Sequence, residues 1–93
     1  MNDLEITRLC AEAMGYTITL ESSRAIQVNE IWPAYDPLID KAQAFALIEK
    51  FHVAIGWDDP IWGAFRQDNK RWVNDADLAR AICTAVAKMQ AAK

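Results

Sequence analysis

The chain has 93 residues, a net charge of −3 and a hydrophobic content of 53%. That is one domain, residues 1–93, and it excludes an intrinsically disordered segment. The mild acidity has the wrong sign for a generic nucleic-acid binder. No apolar run approaches the ~18 residues of a membrane span. "MNDLEITRLC" lacks the basic start and apolar core of a signal peptide.

The first helix is predicted from Asp3 to Met14. Asn2 and Glu5 have the spacing of a capping box. Ile6, Leu9, Cys10, Ala13 and Met14 recur every three or four residues as one apolar stripe. Gly15 supplies the positive φ that stops the helix. "YTITL" then alternates as a strand and is followed by a Ser22-Ser23 turn. "RAIQVNEIW" reads as a second strand with Ile26 and Val28 on one face.

A second helix lies within "YDPLIDKAQAFALIEKF". Either Asp36 caps it with Pro37 at the first position, or Asp40 caps it with Gln43 three residues on. Its core candidates are Ala44, Phe45, Leu47, Ile48 and Phe51. "HVAIGW" places Val53, Ile55 and Trp57 on one face of a strand. "IWGAFR" and "KRWVN" flank "QDN" as a hairpin. The third helix, "NDADLARAICTAVAKMQAAK", starts from Asn74 or Asp75 as its cap, with a seam of Leu78, Ile82, Ala85, Val86 and Met89. The order α-β-β-α-β-β-β-α predicts an α+β fold: a small, mostly antiparallel sheet packed with about three helices as a layered sandwich.

The ending "AEAMGY", the middle helix and "DLARAICTAVAKMQAAK" together resemble small proteins of tailed bacteriophages and prophages, the group called the phage ABA sandwich domain. The resemblance covers both ends of the chain and its middle helix. It implies helices on both faces of a sheet. The group has no assigned chemistry, so the resemblance carries over no catalytic residues. The stretch from Asp58 to Arg71 does not match its pattern, which marks that stretch for specialisation.

The residues offer little for catalysis. His52 is the lone histidine and abuts a helix end, where a structural role is expected. Cys10 and Cys83 lie in apolar helical surroundings and are expected to be reduced, inert thiols of a cytoplasmic protein. Two cysteines and one histidine make no zinc site, and neither Asp36/Asp40 nor Asp58/Asp59 has the spacing of a calcium loop. Gly15, Gly56 and Gly63 are scattered, so no phosphate loop exists. No metal, cofactor or enzymatic activity is expected.

What remains is "GWDDPIWGAFRQDNKRW". Alternation places Trp57 with Val53 and Ile55, so Trp57 is expected in the core. Asp58 to Pro60 make a turn. Trp62 faces outward or inward according to register, and Trp72 carries the same ambiguity. Aromatic and arginine residues dominate protein interfaces. The expected partner-binding set is therefore Asp58, Asp59, Trp62, Phe65, Arg66, Asp68, Lys70, Arg71 and Trp72. The leading expectation is a phage- or prophage-derived binding protein of the bacterial cytoplasm. Its partner would be a host protein, with a defence complex such as a CRISPR effector inhibited by steric occlusion as the most concrete version. On this reading Trp62→Ala abolishes binding and leaves the melting temperature nearly unchanged. A virion assembly accessory, with possible homodimerisation, is the alternative. A single-strand nucleic-acid binder is a third reading, because aromatics beside cations supply stacking and phosphate contacts.

Overall fold

The computed structural model describes residues 1–21, 26–29, 31–66 and 72–93, with the backbone alone for Leu20, Ile31, Trp32, Pro33 and Arg66. Its elements are α1 (Asp3–Ala13), β1 (Ile18–Glu21), β2 (Ile26–Val28), β3 (Ile31–Tyr35), α2 (Lys41–Phe51), β4 (Val53–Asp58), β5 (Ile61–Arg66), β6 (Val73–Asp75) and α3 (Leu78–Ala91). The expected α+β class is what the chain adopts. The strands form two antiparallel three-stranded sheets, β1-β2-β3 and β4-β5-β6, where one had been expected.

Local chemistry sets most helix ends. Asn2 Oδ1 accepts a hydrogen bond from the Glu5 backbone N–H at 2.8 Å. At the other end Gly15 adopts φ +79°. Its N–H donates to Glu12 O and that of Tyr16 donates to Ala11 O, each at 3.0 Å, which is the Schellman pattern. Of the two starts open for α2, Asp40 is the cap, accepting from Gln43 N at 3.2 Å. Gln43 Oε1 reaches past it and accepts from Asp36 N at 2.7 Å. His52 ends α2 in the left-handed region, φ 54°, and its N–H donates to Ile48 O.

The start of α3 differs from expectation. Asp77 is the cap, accepting from Arg80 N at 3.3 Å, not Asn74 or Asp75. Those two belong to β6, where Asn74 opposes Gly63 and Asp75 opposes Trp62. Strand pairing claimed them before the helix began. Asp75 still serves the turn, accepting from Asp77 N at 2.9 Å and pairing with Arg80 at 3.6 Å. Arg80 also pairs with Asp3 at 2.6 Å, tying the starts of α3 and α1.

"RAIQVNEIW" is two strands, not one. Asn29 adopts φ +53°, a conformation that asparagine tolerates better than most residues. Its Oδ1 accepts from Thr17 N at 3.0 Å. The Ser22-Ser23 turn and the "QDN" hairpin tip lie outside the described residues.

The centre of the molecule is α3. It packs against α1, α2, β5 and β6. Ala81, Ile82, Cys83, Val86 and Ala87 are fully buried, so burial extends well beyond the predicted seam. Small alanines let neighbouring elements approach, while each fully buried Ile or Val contributes about 1.5–3 kcal/mol. From α1 come Ile6, Cys10 and Ala11, from α2 Ala44 and Leu47, and from the second sheet Val53 and Ala64. Phe45, expected in the core, is 47% exposed. The face of α2 that meets α3 is the one carrying Ala44 and Leu47.

Candidate functional site

The β4–β5 ladder is regular. Six residue pairs run without interruption from Val53 opposite Arg66 to Asp58 opposite Ile61. Asp59 and Pro60 make the turn, joined by a cis peptide bond. Directly opposed residues of an antiparallel pair share a face. Ile55, Ala64, Trp57, Trp62, Val73 and Asp75 therefore lie on one side, and Gly56, Gly63, Ala54, Phe65 and Asn74 on the other.

The first side carries α3. Ala64 is fully buried, and Trp62 and Val73 pack against the core. The cover runs out along β4. Val53 is 5% exposed at its start, Ile55 is 40% and Trp57 is 53%. The expectation for Trp57 is thus corrected: it shares a face with the core, but the part of that face on β4 lies beyond the helix. Trp62 is half-buried, with its ring centroid 4.9 Å from that of Trp57. It packs partly against the core, on the side of the sheet opposite Trp72.

The second side has a different cover. A Cβ placed on Gly63 would lie 2.7 Å from Trp72 Cε3 and 3.1 Å from Cζ3, and one on Gly56 would lie 3.7 Å from Trp72 Cη2. The Trp72 indole therefore rests on a pair of directly opposed glycines. No other residue at Gly63 leaves room for it. Phe65 packs beside it with ring centroids 4.1 Å apart. Trp72 remains 52% exposed. A shallow cleft of about 380 Å³ opens there, lined by Gly56, Asp58, Gly63, Trp72 and Asn74 among others. Asp58 and Asp59 are exposed at the hairpin end, as is Ile61 at 40%.

The structure thus joins Asp58, Asp59, Phe65 and Trp72 in one region and turns Trp62 away from it. Arg66 ends β5. Asp68, Lys70 and Arg71 lie outside the described residues. Ile55, Trp57 and Ile61 were missed as surface residues. The signal available for β4 was its lack of any charged residue between Val53 and Trp57.

The chemically reactive groups lie elsewhere. Cys10 and Cys83 are buried, free thiols, and the Cys10 thiol donates to Cys83 O at 3.3 Å. The neighbouring Cys10 thiol and burial push the Cys83 thiol well above its ordinary value, which suppresses the reactive thiolate. Burial, with the nearby cysteines, raises Tyr35 in the same way. The Tyr35 hydroxyl is buried and has no hydrogen-bond partner among the described residues. Burial is also the first cause of the raised Asp36 carboxyl. His52 is exposed and is the C-terminal cap of α2, whereas both thiols are buried. Among the described residues no group of three or more His, Cys, Asp or Glu could hold a metal ion. No helix among them is long and apolar enough to cross a membrane. No known protein family matches the chain, and no curated protein or solved structure is similar to it, so its function has to be read from these surfaces.

Proposed function

We propose that the chain is a non-enzymatic binding protein that holds a protein partner against the outer side of the β4-β5-β6 sheet. One observation carries this reading: Trp72 is seated on Gly56 and Gly63 yet leaves half of its surface to solvent. An indole fixed from below loses little freedom on binding, and such aromatics are the anchors of protein interfaces. Asp58 and Asp59 stand beside it and suit a partner with a basic rim. The phage resemblance supplies the first partner to test, a defence complex in the cytoplasm of a bacterial host, blocked by occlusion. That choice rests on the sequence resemblance alone, whereas the surface argument stands without it.

The test is affinity capture from host cells that carry their defence systems, with the captured protein identified and then bound in purified form. Trp72→Ala and Asp58→Lys are expected to weaken its binding by tenfold or more, at about 1.4 kcal/mol per decade, while the circular dichroism spectrum is kept. A partner bound equally well by both variants would overturn the assignment of this surface. Specific retention of capsid or tail proteins would move the function to virion assembly. Steeply salt-dependent affinity for a single-stranded oligonucleotide would replace the protein partner by nucleic acid.

A further inference from the structure

Proteins defend the free edges of their sheets with charges, prolines, bulges or shortness. Other strands in this chain follow that rule. β6 is three residues long and carries Asp75. In the first sheet the register shifts within both the β1–β2 and β2–β3 pairs. β4 follows it only at its last residue, Asp58. Its outer side has no strand partner among the described residues. It runs straight, in unbroken register with β5, and Val53 to Trp57 include no charge and no proline. Along it lie Ile55 and Trp57, on the face that α3 covers elsewhere and exposed only because the sheet stops there.

We infer that β4 pairs with β4 of a second copy of this chain, antiparallel about a two-fold axis through Ile55, giving a six-stranded sheet. The occupant is specified by complementarity along the strand. In this register Ile55 meets Ile55 of the second copy, and small Val53 meets large Trp57. His52 precedes the strand as the left-handed cap of α2, so the paired ladder runs from Val53 to Trp57. The two ends differ in charge, with Lys50 and His52 before the strand, Asp58 as its last residue and Asp59 after it, although Glu49 stands one residue further out. Opposed residues share a face, so Ile55 and Trp57 of both copies become continuous with the side of the sheet that carries α3. Trp72 lies on the other side and stays free, whereas Trp57 and Asp58 border both surfaces, so the two proposals are told apart at Trp72 and Ile55.

Sedimentation equilibrium of the full chain over a wide concentration range tests this. A reversible dimer is expected. Ile55→Lys places two ammonium groups on the axis and is expected to weaken association roughly a hundredfold or more, with circular dichroism and melting temperature retained. Should that variant fold poorly, Ile55→Cys gives a second reading. Mild oxidation is expected to yield a covalent dimer through position 55, because residues on the axis face their own copies, while Ile61→Cys yields none. A monomer at every concentration overturns the inference. So does a dimer that survives Ile55→Lys, or one that cross-links no better through position 55 than through position 61. Trp72→Ala is expected to leave self-association unchanged, which separates this surface from the partner face.

Discussion

The two sides of the β4-β5-β6 sheet solve the same covering problem in different ways. One is covered by α3, a helix buried around much of its circumference, and Ala64 beneath it is fully buried. The other is covered by a single indole lying on two glycines. The first solution fixes the sheet in the fold. The second keeps a rigid aromatic at the surface. A helix-covered face and a half-exposed indole thus occupy opposite sides of one layer only a strand thick.

Substitutions break this contrast most sharply where the helix covers. Ile82→Ala is expected to cost about 2–5 kcal/mol, because Ile82 is fully buried at the centre of α3. For a domain of this size each kcal/mol lowers the melting temperature by about 4–8 °C, so thermal denaturation reads it directly.

The two tryptophans opposed across β4 and β5 sharpen the comparison within one face. Trp62→Ala is expected to cost about 2–3 kcal/mol, below the range for a fully buried aromatic, since Trp62 packs on the core but is half-buried. Trp57→Ala is expected to cost less than about 1 kcal/mol, as a surface change does. Equal losses in chemical denaturation would mean that α3 and its neighbours cover both strands alike.

The outer side is tested by the coupling between two positions. Gly63→Ala is expected to cost about 1–2 kcal/mol, because its methyl group displaces Trp72. The same substitution in a Trp72→Ala background should cost clearly less, giving a coupling of about 0.5 kcal/mol or more in a double-mutant cycle. Additive costs would remove the glycine seat from the account.

The features legible in the sequence were those decided within a few residues. Asn2 and Gly15 bound α1 as read, and Asp40 with Gln43 was one of the two readings for α2, because a cap needs only its own turn. The cap of α3 was missed although "NDAD" was recognised as its source. Three of those four residues suit a cap, and pairing with β5, a tertiary fact, took Asn74 and Asp75. Alternation correctly put Val53, Ile55 and Trp57 on one face. It could not say how far along that face a helix reaches, and so Trp57 was expected inside. Phe45 fell for a similar reason: helical spacing shows which residues share a stripe, not how wide the neighbouring helix is. Trp72 was legible as a candidate through its company of aromatics and charges. Its seat was not, since nothing in the sequence says that Gly56 and Gly63 lie directly opposite each other.

The bond from the Cys10 thiol to the Cys83 carbonyl has a consequence for the route by which the chain reaches this structure. It joins residues 73 positions apart, and the apolar stripe of α1 finds most of its shelter on α3. The β4–β5 hairpin needs only neighbours and can form within microseconds. α1 has to wait for the closure of a loop spanning most of the chain. The helix over Ala64, α3, follows β6 directly in the chain and needs no such closure. Seating α1 on α3 is thus the long-range step in the assembly of this core, and laying α3 on its sheet the local one.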